Sequence, residues 1–140
     1  MNKTKIQLTR LDDHMHFEAT STNGNSIQLD GSPKIGGGNK GVRPMETLLM
    51  AMAACSGIDV VLILKKMNQK IDDFKVSVEA TPIKVGFATE YSDIHIHFRL
   101  WGDLKESKVK KAIDLSINKY CSVSKILEKS AVITSSYELL

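Results

Sequence analysis

The chain has 140 residues, a 42% hydrophobic share and a formal charge of +3 spread along its length, which fits one domain with a real core. The densest basic stretch, Lys105 to Lys119, alternates with Glu106, Asp114 and apolar residues, and the aromatics do not interleave with it, which argues against a nucleic-acid partner. Met1 to Arg10 lacks the apolar core and cleavage site of a secretory signal, so the expected compartment is the cytoplasm.

The first thirty residues read as an antiparallel meander of three short strands. Lys3 to Arg10 alternates Ile6 and Leu8 with polar neighbours, and Asp12-Asp13 supplies a turn. His14 to Thr20 places Met15, Phe17 and Ala19 on one face, and Asn23-Gly24 is a tight-turn signal before a strand over Ser26 to Asp30. Gly31 to Arg43 is a glycine-rich loop. Its lysine precedes the last glycine and no Ser or Thr follows, so the phosphate-loop spacing fails and a flexible flap is expected.

Pro44 suits the first position of a helix and Glu46 the positive end of its dipole. The helix is expected to run to about Met67 and is apolar nearly all round from Thr47 to Ile58. The segment Met45 to Leu64 reaches the roughly 20 residues that cross a bilayer. Glu46 and Asp59 interrupt it, which favours a buried core helix over a membrane span. A chain this short cannot wrap such a helix alone, which points to a partner subunit.

Phe74 to Ala80 alternates Phe74, Val76 and Val78 inward, and Thr81-Pro82 ends or bends that strand. Tyr91 to Trp101 sets Ile94, Ile96, Phe98 and Leu100 against His95, His97, Arg99 and Trp101. Leu104 to Tyr120 is an amphipathic helix with Val109, Ala112, Ile113, Ile117 and Tyr120 on its apolar stripe. Ser122 can cap a shorter helix to about Lys129, and Ala131 to Leu139 closes with a strand. This order has no regular βαβ alternation, so the class is α+β, as a single domain over residues 1–140.

Two cysteines sixty-six positions apart make neither a disulfide framework nor a zinc cluster. Cys55 sits mid-helix among Ala53, Ala54, Ser56 and Gly57, whose small side chains leave room for a substrate or a second chain. Cys121 lies at a junction of two helices, where a helix N-terminus favours the thiolate. Either cysteine also fits as an inert core residue. Together they are the minimum equipment for reducing a peroxide, since one thiol attacks and the other resolves the sulfenic acid. The competing constellation is His14-x-His16 and His95-x-His97, each pair on one strand face, where the rings could hold a metal.

The segment Gly41-Val42-Arg43-Pro44-Met45-Glu46-Thr47-Leu48-Leu49-Met50-Ala51-Met52-Ala53-Ala54-Cys55 resembles the central helix of the OsmC/Ohr family, with the cysteine eleven residues after the proline. Lys119-Tyr120-Cys121-Ser122-Val123-Ser124 resembles the family's second cysteine segment, and the element order agrees from end to end. The pattern P-M-E-x-L-L-M-A-x-x-x-C with Ile58-Asp59-Val60-Val61 resembles the YhfA-like branch more than the catalytic branch.

The resemblance implies antiparallel sheets around a long buried central helix, in an intertwined homodimer with its active sites at the subunit interface. It implies a thiol-dependent peroxidase that takes organic hydroperoxides and is restored by a dithiol reductant; no cofactor and no metal are expected. By the same resemblance Cys55 is the peroxidatic thiol and Cys121 the resolving one. The family's glutamate directly follows the proline, where Met45 stands here. Glu46, one place later, is turned about 100° round the helix. The family's arginine comes from an early turn, here Ser21-Thr22-Asn23-Gly24-Asn25, and Arg43 is the nearest substitute in sequence. These departures leave open a second reading, a non-catalytic dimer that binds a small apolar or electrophilic ligand in its interface pocket.

Overall fold

Alternating polar and apolar residues at the start of the chain fold into short strands, and the tight turns between them fix their pairing. The computed structural model describes residues 2–140, which form two compact units, one up to Thr47 and one from Leu48 onward. In the first unit β1 (Gln7–Arg10), β2 (Phe17–Thr20) and β3 (Ser26–Leu29) make an antiparallel sheet in the order β1-β2-β3. The strand expected over Lys3 to Arg10 is shorter, because pairing with β2 starts only at Gln7 opposite Thr20. Asp12 Oδ1 accepts the His14 and His16 amides at 2.9 and 3.2 Å and so makes the first turn, while Gly24, at a φ of 86°, makes the second.

The glycine-rich loop is pinned and is no loose flap. The Asp30 carboxylate, almost fully buried, accepts the amides of Gly31 at 2.7 Å and of Gly38 and Lys40 at 3.1 Å. Backbone donors that a bound phosphate would use are thus occupied by the chain's own carboxylate. Gly37 packs so closely on the Gly31 carbonyl that a Cβ there would lie 1.8 Å from its oxygen, which only glycine permits.

Helix α1 (Pro44–Lys66) begins at the proline, as its position suggests. The second unit packs this helix against a sheet of β4 (Asp73–Val85), β5 (Ala88–Trp101) and β6 (Val132–Leu139), in the order β4-β5-β6. Ile94, Ile96, Phe98 and Leu100 on β5 are fully buried, as their alternation predicts, and join Met52, Val60 and Leu64 of α1 and Val109, Ala112 and Ile113 of α2 (Glu106–Leu115) in one core. Phe98 stacks on Phe74 of β4 with ring centroids 6.2 Å apart.

Several expectations are corrected. Of the two outcomes expected at Thr81-Pro82, the strand is not ended: its pairing shifts register between Thr81 and Pro82, as a bend there does, and β4 continues to Val85. The second sheet is not purely antiparallel, because β6 returns through the helices to pair parallel with β5. Within the chain α1 is not a buried helix: only Met52, Ser56, Val60 and Leu64, every fourth residue, form its buried stripe, and Leu48, Met50, Ile58, Val61 and Leu62 are exposed.

The helix expected to run unbroken to Tyr120 instead leaves α-geometry at Ser116, and residues Ser116–Tyr120 form a π turn closed by the Cys121 amide on the Ser116 carbonyl at 2.7 Å. The wider winding carries Tyr120 off the apolar stripe and leaves it half exposed. Helix α3 (Ser122–Leu127) follows, and its cap is Cys121, whose sulfur accepts the Ser124 amide at 3.4 Å, in place of the expected Ser122.

Candidate functional site

Both cysteines lie in the second unit, and the fold brings them together. Helix α1 presents Cys55 and, one turn later, Asp59 on one face. The π turn before α3 delivers Cys121 to the same place. The two sulfurs and a carboxylate oxygen of Asp59 all lie within 4.8 Å of one another. Neither cysteine is disulfide-bonded. Cys55 is half-buried and Cys121 fully buried.

Three serines order this cluster. Ser56, fully buried, donates its hydroxyl to Cys121 Sγ at 3.2 Å. Ser116 donates to Asp59 Oδ2 at 3.0 Å and approaches the Ser56 carbonyl at 3.4 Å, so it ties the π turn to α1. The buried Ser124 hydroxyl lies beside Cys121 but completes no hydrogen bond among the described residues.

The surroundings push the two thiols apart in acidity. Burial works against a thiolate at Cys121, but the Ser124 and Ser56 hydroxyls, the Ser124 amide and the Cys55 thiol outweigh it and lower the pKa below the ordinary thiol value. At Cys55 burial acts in the same sense as the neighbouring Cys121 and raises the pKa, only partly opposed by the amides of Val123 and Ser122. The pair therefore shares its first negative charge, with Cys121 the favoured holder and Cys55 the donor of the bridging proton.

The other expected site residues lie in the first unit. Glu46 Oε1 accepts the Arg43 backbone amide at 2.8 Å, which caps the start of α1. The Arg43 guanidinium donates to the Gly41 carbonyl at 3.1 Å and to Asn39 Oδ1 at 2.9 Å. Glu46 thus holds the backbone of Arg43 and not its guanidinium. His95 and His97 lie on β5, whereas His14 and His16 fall in the turn before β2 and do not share a strand face. His16 Nε2 lies 2.7 Å from Gln28 Oε1. His95 bonds Thr134 and Ser136 at 2.6 and 2.7 Å, and His97 bonds Ser136 and Glu138 at 2.6 and 3.3 Å. All four ring nitrogens of His95 and His97 are engaged by the protein itself, which leaves none free for a metal.

A cavity of about 490 Å³ adjoins the cluster through Asp59 and is lined by Leu62, Ile63, Lys66, Met67, Leu115 and Tyr120. Sequence reasoning missed Asp59 as a site residue, because in the sequence it read only as an interruption of an apolar helix. Ser56, Ser116 and Ser124 gave no signal either, because their role depends on where the π turn sets Cys121.

Comparison with known proteins identifies the fold and the family. Residues 37–136 match the family model described as OsmC-like protein. The chain is 41% identical to protein YhfA of Escherichia coli K12 over 125 residues, which is 89% of this chain and 90% of that one. Its structure superposes on a hypothetical protein from Aquifex aeolicus with a TM-score of 0.85 at 29% identity, covering 100% of this chain and 98% of the other. It shares its fold with the organic hydroperoxide resistance protein OhrB of Bacillus subtilis, with a TM-score of 0.70 at 16% identity and 98% of each chain covered. With its α+β fold, two small sheets and long central helix, the chain belongs to the OsmC-like family.

Proposed function

We propose that this protein is a thiol-dependent peroxidase that reduces organic hydroperoxides through Cys55 and Cys121. The observation that carries the proposal is the approach of the two sulfurs to within 4.8 Å beside a cavity of mixed, mainly apolar lining, with the more accessible sulfur on α1. Cys55 attacks the terminal peroxide oxygen, the O–O bond breaks, and the alcohol leaves with the proton that the thiol gives up. Cys121, lower in pKa and hydrogen-bonded by Cys55, is placed to accept that proton in transit. Cys55 is then a sulfenic acid. Cys121 attacks its sulfur, the S–O bond breaks, water leaves, and the disulfide forms. A dithiol reductant restores both thiols in two exchange steps and is itself oxidised to a disulfide.

The cavity suits the organic part of the substrate, since its walls are mainly aliphatic and its size falls in the range of small-molecule sites. Arg43 and Glu46 enter as positioning residues at the start of α1. Two copies of the chain form the working unit, because α1 leaves Met50, Ile58 and Leu62 at 49%, 61% and 51% exposure, a face that a second copy would cover. The expected compartment is the cytoplasm, where a dithiol reductant is at hand.

The test is peroxide consumption with cumene hydroperoxide and excess dithiol. Wild type is expected to turn over, Cys55→Ser to be inactive, and Cys121→Ser to consume one equivalent and no more when the dithiol is left out. Arg43→Ala and Glu46→Gln are expected to slow the attack by Cys55. No consumption above that by free cysteine would overturn the proposal. The cavity also supports a second reading, ligand binding without redox cycling. That reading requires Cys55→Ser to keep full affinity for an apolar ligand while wild type shows no turnover.

A further inference from the structure

We propose that Cys55, Asp59 and Cys121 form a three-ligand site for a thiophilic divalent cation, with Zn²⁺ the ion it fits best. The donors are two sulfurs and one carboxylate oxygen from two separate elements, already within 4.8 Å of one another. A tetrahedral zinc ion bound at about 2.3 Å to sulfur and about 2.0 Å to oxygen sets its donors about 3.5–3.8 Å apart. The cluster therefore closes onto an ion by a contraction of about 1 Å, within the reach of side-chain rotation. Three protein ligands leave a fourth position for water or another small donor.

The donor set selects the ion. Two thiolates exclude Mg²⁺ and Ca²⁺, which take hard oxygen ligands in larger number. Two cysteines are too few for an iron–sulfur cluster. Two thiolates with a carboxylate suit borderline Zn²⁺ and its spectroscopic stand-in Co²⁺.

The surroundings behave as a metal site's outer shell does. Ser116 fixes Asp59 by donating to Oδ2 at 3.0 Å, which leaves the other carboxylate oxygen to point elsewhere. Cys121 receives the Ser56 hydroxyl at 3.2 Å and the Ser124 amide at 3.4 Å, donors that support a thiolate. The fully buried Ser124 hydroxyl lies beside that sulfur and is a further polar neighbour that favours its thiolate. Binding releases the remaining thiol protons to solvent, so affinity rises with pH. An ion held by both sulfurs withholds both from other reactions, so metal occupancy and thiol reactivity exclude each other. The site stands independently of peroxide reduction, because binding is read from the metal's own spectrum.

The experiment is anaerobic titration of the reduced full chain with Co²⁺, followed by Zn²⁺. The expected result is one Co²⁺ per chain, with a sulfur-to-cobalt charge-transfer band and the intense visible bands of tetrahedral cobalt, all lost on adding Zn²⁺. The Cys55→Ser and Cys121→Ser variants should each lose about half or more of the charge-transfer intensity. Asp59→Asn should bind at least about tenfold more weakly with the band retained, and His95→Ala should match wild type. On wild type alone, and so free of any folding defect in a variant, Zn²⁺ should slow alkylation of Cys55 by iodoacetamide at least about tenfold. Absence of the charge-transfer band at millimolar Co²⁺, an unchanged affinity in Asp59→Asn, or alkylation indifferent to Zn²⁺ would each overturn the site.

Discussion

Oxidation of Cys55 and Cys121 to a disulfide within one chain should stabilise the second unit. The bond closes a loop of sixty-six residues across the core, from the middle of α1 to the cap of α3. For a loop of that length the chain-entropy model gives about 4 kcal/mol at 25 °C. Two local losses oppose it: the Ser56 hydroxyl loses its thiolate acceptor, and the Ser124 amide loses the sulfur that caps α3. These offset about 1–2 kcal/mol between them. Bringing the sulfurs from within 4.8 Å to bonding distance asks for side-chain rotation and a small backbone shift.

The net gain is about 2–3 kcal/mol, which for a chain of this length corresponds to a rise in Tm of about 7–10 °C. The assay is thermal and urea unfolding of the reduced and the stoichiometrically oxidised protein at one fixed concentration. The intramolecular bond is first verified by mass and by non-reducing electrophoresis. An oxidised form no more stable than the reduced one would refute the placement of both sulfurs on a common, closable path.

Other consequences follow from the core, the pinned loop and its aspartate. Phe98→Ala removes a fully buried ring stacked on Phe74, and should cost about 3–5 kcal/mol in urea unfolding, with Leu100→Met much milder. Gly37→Ala places a Cβ against the Gly31 carbonyl and should destabilise the first unit by about 2 kcal/mol or more, seen as loss of amide protection there, whereas Gly24→Ala, open on all sides, should pay only for its φ of 86°. Burial opposes the charge on Asp30, but the amides of Lys40, Gly31 and Gly38 and the nearby His16 prevail and hold its carboxyl below the usual carboxylate range. Its stabilising effect is complete above the ordinary carboxylate pKa and is lost as pH falls through the lower folded value. Hydrogen exchange of the Gly38 and Lys40 amides should therefore speed up on acidification, and at neutral pH in Asp30→Asn.

Elements whose pattern is dictated by local geometry were legible in the sequence. The alternation of Ile94, Ile96, Phe98 and Leu100 fixed β5 and its buried face, because period two admits one arrangement on a half-buried strand. Pro44 fixed the start of α1. The spacing from Pro44 to Cys55, with the segment around Cys121, pointed to the family and to the two thiols that the fold then brings together.

What was not legible depends on long-range register. The π turn over Ser116–Tyr120 changes the winding without any glycine or proline to announce it, so Tyr120 leaves the core and Cys121 becomes the cap. The parallel return of β6 is a choice of topology that no local pattern in Val132–Leu139 encodes. Asp59 read as an interruption of an apolar helix, and its meaning emerged only when Cys121 and Ser116 arrived from the far end of the chain. The uniform apolarity of α1 concealed which side is covered, since a helix that is apolar all round carries no stripe to read.

Peroxide reduction by this pair is tested most directly by intact-mass analysis of the reduced protein after one equivalent of cumene hydroperoxide, under non-reducing conditions. Wild type should lose two hydrogens rapidly as the Cys55–Cys121 disulfide forms. Cys121→Ser should gain one oxygen, trapped as a sulfenic acid on Cys55, and Cys55→Ser should remain unchanged. Oxidation no faster than that of free cysteine, or a sulfenic acid trapped on Cys121 instead, would contradict the assignment of Cys55 as the attacking thiol.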